Sequence, residues 1–347
     1  MSYLILSCDG GGMRGYLSSL LLQRLEEDLG LFGQNNGNVD LYAGTSTGGL
    51  IALGLAYGKS IDSVVSLYQS SGAQIFHPLG TQAHCLLSAA AKSNNNDLTD
   101  IKGLRQTLFD NIGNPSVRTV VEEFIPGNPV LSSLPNKVMV ATLQLEADGI
   151  PPNWRPLVID NLEGSDGSDT FLYDAALSTS AAPVYFPPYA HPKLGWCSDG
   201  GLFANNPAAL AVGRAISMGQ ALQDIAVLSI GTGLTPASME VSQTGRLCFG
   251  LDHWMQLKQE GPTPPFPLLN AIMDNISVSN DFLCQQILNA AQTTGRYMRV
   301  NPALPKSVAL DDYSPATMKM FEQAAANYFK TEAWVQIEDW VEGTFQK

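Results

Sequence analysis

Three short stretches of this chain hold residue types that can do chemistry together. The first is Asp9-Gly10-Gly11-Gly12-Met13-Arg14-Gly15. Glycine has no Cβ, so its backbone N–H groups can come close to a ligand. Such a loop either cradles a pyrophosphate or stabilises an oxyanion. Gly10, Gly12 and Gly15 also satisfy the dinucleotide-binding spacing G-x-G-x-x-G, and a plain tight turn would use the same residues. The second stretch is Gly44-Thr45-Ser46-Thr47-Gly48. G-x-S-x-G on a sharp strand-to-helix turn exposes the serine hydroxyl, and the helix behind it aims its positive end at that oxygen. The third is Asp199-Gly200-Gly201, which either sets a carboxylate in a loop at a strand end or is an ordinary Asp-Gly turn. A donor loop, an elbow serine and a loop carboxylate are together the parts that acyl transfer needs.

These parts must be held by elements that the hydrophobic pattern makes legible. Residues 3–8 are a short apolar run ending in Asp9 and three glycines, which predicts a buried strand entering a tight loop. Leu17, Leu20, Leu21, Leu22, Leu25 and Leu29 recur at helical spacing, with charged residues opposite, and Gly30 stops the helix. A second strand is expected at 39–43, a turn at 44–49 and an apolar helix at 50–57 closed by Gly58. Strand, glycine-rich turn and helix thus occur twice in the first sixty or so residues. That order predicts an α/β architecture with a mainly parallel sheet. Further helices are expected at 61–69, 100–109, 117–124 and 172–178, and strands at 137–143, 154–160 and 224–230. Residues 77–100 read as a polar loop, and 148–152 as a turn. From 247 to 269 no period is visible. Ser314-Pro315 opens a helix, since serine caps well and proline suits the first turn. A last helix carries Trp334, Ile337 and Val341 on one face.

The three motifs, in this order, resemble the patatin-like phospholipase family, whose members carry D-G-G-G-x-R-G, G-x-S-x-G and D-G-G or D-G-A. Two further stretches resemble family segments: Ser178-Thr179-Ser180-Ala181-Ala182-Pro183-Val184-Tyr185-Phe186-Pro187-Pro188, and Asp199 through Leu202, Phe203 and Ala204 to Asn205-Asn206-Pro207. The likeness covers roughly residues 3–233. It implies a three-layer α/β sandwich, a mainly parallel central sheet flanked by helices. Residues 1–300 would form the hydrolase domain and 301–347 a helical extension packed on it. It also implies a Ser–Asp dyad, with Ser46 as nucleophile and Asp199 as base. Gly10, Gly11 and Gly12 would bind the oxyanion. Arg14 would add positive charge nearby or fix the loop, and Asp9 would tie it down.

The histidines bear on the dyad. There are four, His77, His84, His191 and His253, and only His253 follows Asp199 as the third member of a hydrolase triad would. An aspartate base is weak, with an ordinary pKa about three units below neutrality, unless burial raises it. No metal or other cofactor is expected, since no calcium-loop ladder of Asp and Asn is present. The substrate implied is a membrane lipid or another fatty acyl ester. A soluble esterase, thioesterase or acyltransferase with the same dyad, and a nucleotide-binding module built on the Gly10–Gly15 loop, are the alternatives. A nucleotide activator or protein partner is left open.

Composition narrows the partners. The chain has 347 residues, 45% hydrophobic and 15% charged, with a formal net charge of -13. That balance disfavours nucleic acid and polybasic docking to anionic lipid, though peripheral membrane contact stays compatible. Five widely spaced cysteines, with no Cys-x-x-Cys, fit reduced thiols in a cytoplasmic protein. Tyr3-Leu4-Ile5-Leu6 is too short for a secretory leader. Residues 41–58 approach membrane-span length but read as strand, turn and helix. Trp254, Phe266, Leu268, Leu269, Ile272 and Phe282 near a proline cluster are either a lipid-facing surface or packing beneath a loop.

Overall fold

The computed structural model describes residues 2–75, 114–147, 153–237, 251–256, 263–290 and 295–344. The expectations for 77–100, 100–109 and 148–152, and the residues His77, His84, Cys85 and Cys248, lie outside these. Strand β1 (Tyr3–Cys8) leads through the glycine loop into α1 (Gly15–Leu29). β2 (Leu41–Thr45) is followed by α2 (Thr47–Tyr57) and α3 (Ile61–Ile75). After α4 (Asn114–Phe124) come β3 (Val138–Glu146), β4 (Arg155–Asp160) and α5 (Leu172–Thr179). β5 (Tyr189–His191) and β6 (Gly195–Asp199) form a hairpin, and α6 (Gly201–Ala204) and α7 (Ala208–Ser217) lead to β7 (Ile225–Ile230). Then follow α8 (Leu251–Trp254), α9 (Pro267–Ala290), β8 (Tyr297–Val300), α10 (Pro315–Tyr328) and α11 (Glu332–Thr344).

The strands make one eight-stranded sheet ordered β5-β6-β3-β2-β1-β7-β8, with β4 also on β3. β3, β2, β1, β7 and β8 run parallel, and β4, β5 and β6 pair antiparallel. β1 is buried from Leu4 to Cys8 because helices cover both its faces, as a central parallel strand requires. Its side chains alternate between two cores. Leu4, Leu6 and Cys8 join Leu17, Leu21 and Leu25 of α1, while Ile5 joins Ala208, Ala211 and Val212 of α7 with Cys284 and Leu288 of α9. This is the three-layer α/β arrangement expected from the motif order.

Several ends match their sequence signals. Gly30 takes φ 63 after α1 and donates to Glu26 O, so the helix stops where a residue without Cβ can turn. The Ser314 hydroxyl accepts from Thr317 N at the start of α10. Trp334, Ile337 and Val341 of α11 are buried in the same core as α1. Cys8, Cys197 and Cys284 are free, buried thiols.

Other boundaries moved. β2 lies two residues beyond the expected 39–43, because its last two buried positions, Gly44 and Thr45, are not apolar. The expected turn at 44–49 shrinks to one residue between β2 and α2. α3 extends six residues past the predicted end to Ile75. β5, β6, β8, α7 and α9 were not anticipated. No helix among the described residues is long and apolar enough to cross a membrane.

Candidate active site

Ser46 is that single residue between β2 and α2. Its backbone sits at φ 56 and ψ -124, a left-handed conformation that costs a non-glycine residue about 1–3 kcal/mol. The turn closes because α2 presses on β1 with no side chain between them: a Cβ on Gly48 would stand 2.1 Å from Cys8 O. From the other side, Ser46 N donates to Thr179 Oγ1 at 3.0 Å, and that hydroxyl donates to Ala141 O at 2.6 Å. Thr47 is tied down through its hydroxyl to Tyr68 OH. Ser46 therefore stands at the positive end of α2, buried and over-determined.

Asp199 reaches Ser46 through the register of β3. Ala141 pairs with Thr45 of β2 and with Val158 of β4, and Thr142 pairs with Asp199 of β6 and with Leu157 of β4. β4 thus occupies one edge of β3, while β2 and β6 share the other and end at adjacent positions. The last residue of β6 meets the last residue of β2, and the elbow serine follows directly. Asp199 N donates to Ala181 O at 2.9 Å, and its Oδ1 accepts from Gly201 N at 2.7 Å. Burial pushes the carboxyl up to about 7, with the Ser46 hydroxyl and Gly201 N–H pulling it part of the way back. Oδ2 is buried and takes no well-aligned hydrogen bond. The serine is thus near enough to influence the carboxyl but is not yet aligned with it, as is common in a site without substrate.

The glycine loop faces this pair. Of the three glycines expected to donate, Gly10 has its N–H bound to Asn205 O at 2.9 Å, so it anchors the loop rather than offering a hydrogen to a ligand. Gly11 and Gly12 N–H take no acceptor among the described residues. Gly12 has φ +58, and a Cβ there would stand 2.2 Å from Leu310 O. Asp9 is gripped by both ends of the Arg299 guanidinium, at 2.8 and 2.6 Å. Burial pushes the Asp9 carboxyl up against the pull of Arg299. Burial is the largest single influence on Arg299 and would lower it, but the charge and hydrogen bonds of Asp9, with Tyr297 and Asp281, together raise it above its ordinary value. Arg14 is buried and donates from Nη2 to Asp274 Oδ1 at 3.0 Å, while its Nε and Nη1 have no partner among the described residues. The loop is therefore held at one end from β8 and at the other from α9.

A cleft of about 490 Å³, including its open mouth, lies over Ser46 and is lined by Gly12, Leu50, Tyr185, Met273 and Leu310 among others. Among the described residues no histidine lines it. His253, the one candidate third member of a triad, is on α8 and is not part of that lining. His191 Nδ1 accepts from Lys193 N and Leu194 N, a turn-forming role. The aromatic and proline-rich region divides: Leu269 and Met273 of α9 turn inward to the cleft, whereas Leu268 and Phe282 are exposed. Sequence reasoning assigned no role to Thr179, Asn205, Asp274 or Arg299. Thr179 and Asn205 stand inside the two family-like segments and were open to attention there. Asp274 and Arg299 carry no local signal.

A family model described as patatin-like phospholipase matches residues 6–212. Over 253 residues the chain is 31% identical to the cGAMP-activated phospholipase of Vibrio cholerae, covering 68% of this chain and 67% of that protein. It is 28% identical over 242 residues to the cGAMP-activated phospholipase of Escherichia coli, covering 66% of this chain and 61% of that protein. Patatin-like protein 2 of Arabidopsis thaliana is 28% identical over 332 residues, with 85% of this chain and 74% of that one covered. Asp274 and Arg299 both lie beyond the matched residues 6–212.

Proposed function

The chain belongs to the patatin-like phospholipase family, and from that premise we propose that it hydrolyses fatty acyl esters of lipids, with Ser46 as nucleophile and Asp199 as proton acceptor. The observation that carries this reading is the meeting of an elbow serine with a buried carboxylate that has no cation beside it among the described residues. Ser46 Oγ attacks the ester carbonyl carbon as its proton passes to Asp199 Oδ2, the oxygen without another partner. The carbonyl electrons move onto oxygen, where Gly11 and Gly12 N–H donate to the developing charge. Losing one such donor typically costs about 3–4 kcal/mol. The bond to the leaving alcohol breaks, and the alcohol takes the proton from Asp199. A water then gives a proton to the same carboxylate and attacks the acyl-enzyme. Ser46 Oγ leaves with that proton, and the fatty acid is released.

Arg14 and Asp9 support the loop rather than take part in proton transfer. We read 1–300 as the hydrolase domain and 301–347 as a helical extension on α1, and we place the protein in the cytoplasm, acting peripherally on a membrane surface. Because two relatives are cGAMP-activated, cyclic GMP–AMP is the first activator to add to an assay.

The test treats the purified protein with a fluorophosphonate ester, with and without cyclic GMP–AMP, and locates the adduct by mass spectrometry. Fatty acid release from phosphatidylcholine vesicles is measured in parallel. A stoichiometric adduct on Ser46, slowed in Asp199→Asn, together with fatty acid release is the expected outcome. A folded sample that gives no Ser46 adduct under either condition would sink the reading.

A further inference from the structure

The Gly11 N–H, one of the two donors assigned to the oxyanion, belongs to the peptide unit between Gly10 and Gly11. A glycine on each side leaves that unit little steric restraint, so by itself it can rotate and turn its N–H away. The unit is planar and trans, so its N–H and C=O point in opposite directions. Whatever grips the carbonyl therefore aims the amide. Two buried side chains grip it. Thr232 Oγ1, just past the end of β7, donates to Gly10 O at 3.2 Å. Asn205 Nδ2, just past the end of α6, donates to the same oxygen at 3.3 Å. Both are themselves fixed. Gly231 N donates to Val300 O and Gly233 N to Asn301 Oδ1, each at 2.8 Å, so Thr232 is held through both its neighbours. Asn205 O accepts from Gly10 N, and its Nδ2 also donates to Ser277 Oγ of α9, each at 2.9 Å. Thr232 lies directly against Gly11: a Cβ there would stand 2.5 Å from the threonine Oγ1 and 2.8 Å from its Cβ. The next peptide unit is held differently. Gly11 O accepts from Arg14 N at 3.1 Å, within the loop's own turn. Local backbone thus aims the Gly12 N–H, while the Gly11 N–H is aimed by side chains 195 and 222 residues along the chain from Gly10.

We propose that Thr232 and Asn205 are positioning residues for the reaction: by holding Gly10 O they keep the Gly11 N–H turned toward the oxyanion, and neither touches the substrate. The assignment rests on the hydrolase reading above and deepens it by naming what prepares one of the two donors. A donor fixed in advance needs no reorganisation as charge develops on the carbonyl oxygen. Hydrogen bonds to the carbonyl also polarise the unit, which strengthens its N–H as a donor. Loosening the grip should therefore raise the barrier and leave ground-state binding unchanged.

The experiment measures kcat and KM of the full chain for an octanoate ester, and inhibition by an alkyl trifluoromethyl ketone and by the matching trifluoromethyl carbinol. Ser46 Oγ adds to the ketone carbon as its proton passes to Asp199, and the carbonyl electrons rest on oxygen as in the transition state. The carbinol has no carbonyl and forms no such adduct. Thr232→Val, which keeps the shape and removes the hydroxyl, is expected to lower kcat about tenfold and to weaken the ketone by the same factor. KM and the affinity for the carbinol are expected to stay within about twofold. Thr232→Ser, which restores the hydroxyl, is expected to recover most of kcat. Asn205→Ala keeps the backbone oxygen that binds Gly10 N, is expected to show the same split, and carries the test alone if Thr232→Val does not fold. Folded variants with the natural kcat and ketone affinity overturn the proposal and leave the hydrolase reading intact, as does a loss in which KM and carbinol affinity move as far as kcat. A natural protein that turns over no ester, and binds the ketone no tighter than the carbinol, overturns both.

Discussion

The chain contains two Asp-Gly-Gly turns, at Asp9 and at Asp199, and each closes a strand of the same sheet. Both carboxylates are buried, at 2% and 1% exposure, and burial pushes both upward. They differ in company. Asp9 has an arginine fork across both oxygens, and Asp199 has one backbone N–H, a serine and an unpaired oxygen. The same short sequence therefore yields a fixed anchor in one place and, on the proposed reading, a proton acceptor in the other. What separates them is a guanidinium, contributed from far along the chain, which compensates one charge and leaves the other uncompensated.

Removing the anchor should do the most. Asp9→Asn leaves Arg299 buried without its counter-ion, and a loss of about 3–5 kcal/mol in chemical denaturation is expected. Asp199→Asn should act in the opposite sense. A carboxyl whose folded pKa is raised to about 7 contributes stability that is present below its unfolded value and lost as pH rises through 7. The variant should thus be more stable than the natural protein at pH 8, by up to about 4 kcal/mol, with the difference gone near pH 3. Its turnover should fall by about 10²–10⁴-fold. In the natural protein kcat/KM should climb through about pH 7 and level above it, because the carboxylate form accepts the proton. A rate that is flat from pH 5 to 9 would erase the distinction between the two turns.

Finer variants sharpen the contrast. Arg299→Lys keeps the charge at Asp9 but not the fork, and a stability loss of about 1.5–3 kcal/mol is expected by the same denaturation. The other end of the loop is held more loosely. Asp274 is 36% exposed at its side chain and accepts one hydrogen bond from Arg14. Asp274→Asn should cost about 1–3 kcal/mol, less than Asp9→Asn, because Arg14 is buried but Asp274 itself is partly screened by solvent. A loss as large as that of Asp9→Asn would make the two ends equal.

Local signals in the sequence account for β1, α1 with its Gly30 stop, the capped start of α10 and the buried face of α11. They also mark Ser46, Asp199 and the glycine loop, since each is a short motif whose residues act where they stand. What was not legible is what depends on pairing. The meeting of Asp199 with Ser46 is set by which residues of β3 the two strands choose, and no spacing within either motif reports it. α9 escaped notice because Leu269, Met273 and Leu288 are buried while Val278, Phe282 and Leu283 are exposed on other faces, so apolar residues show no clean stripe. β8 has four residues, three of them half-buried, and its Arg299 reads as an ordinary surface cation. Gly10 looked like its two neighbours, and only the approach of Asn205 O separates its amide from theirs.

The distance along the chain between Asp9 and Arg299, 290 residues, also sets an order of events. A ribosome releases its product N-terminus first at about 5–20 residues per second, so Asp9 emerges roughly 15–60 s before its clamp. Ser46 and Asp199 both emerge within that interval, yet the loop that on the proposed reading steadies an oxyanion still lacks its Arg299 clamp. A nascent chain stalled short of residue 299 should therefore resist the fluorophosphonate probe that labels the finished one. On the proposed reading, a lipid-cleaving enzyme stays inert beside the membranes of its own cell until its synthesis has passed Arg299.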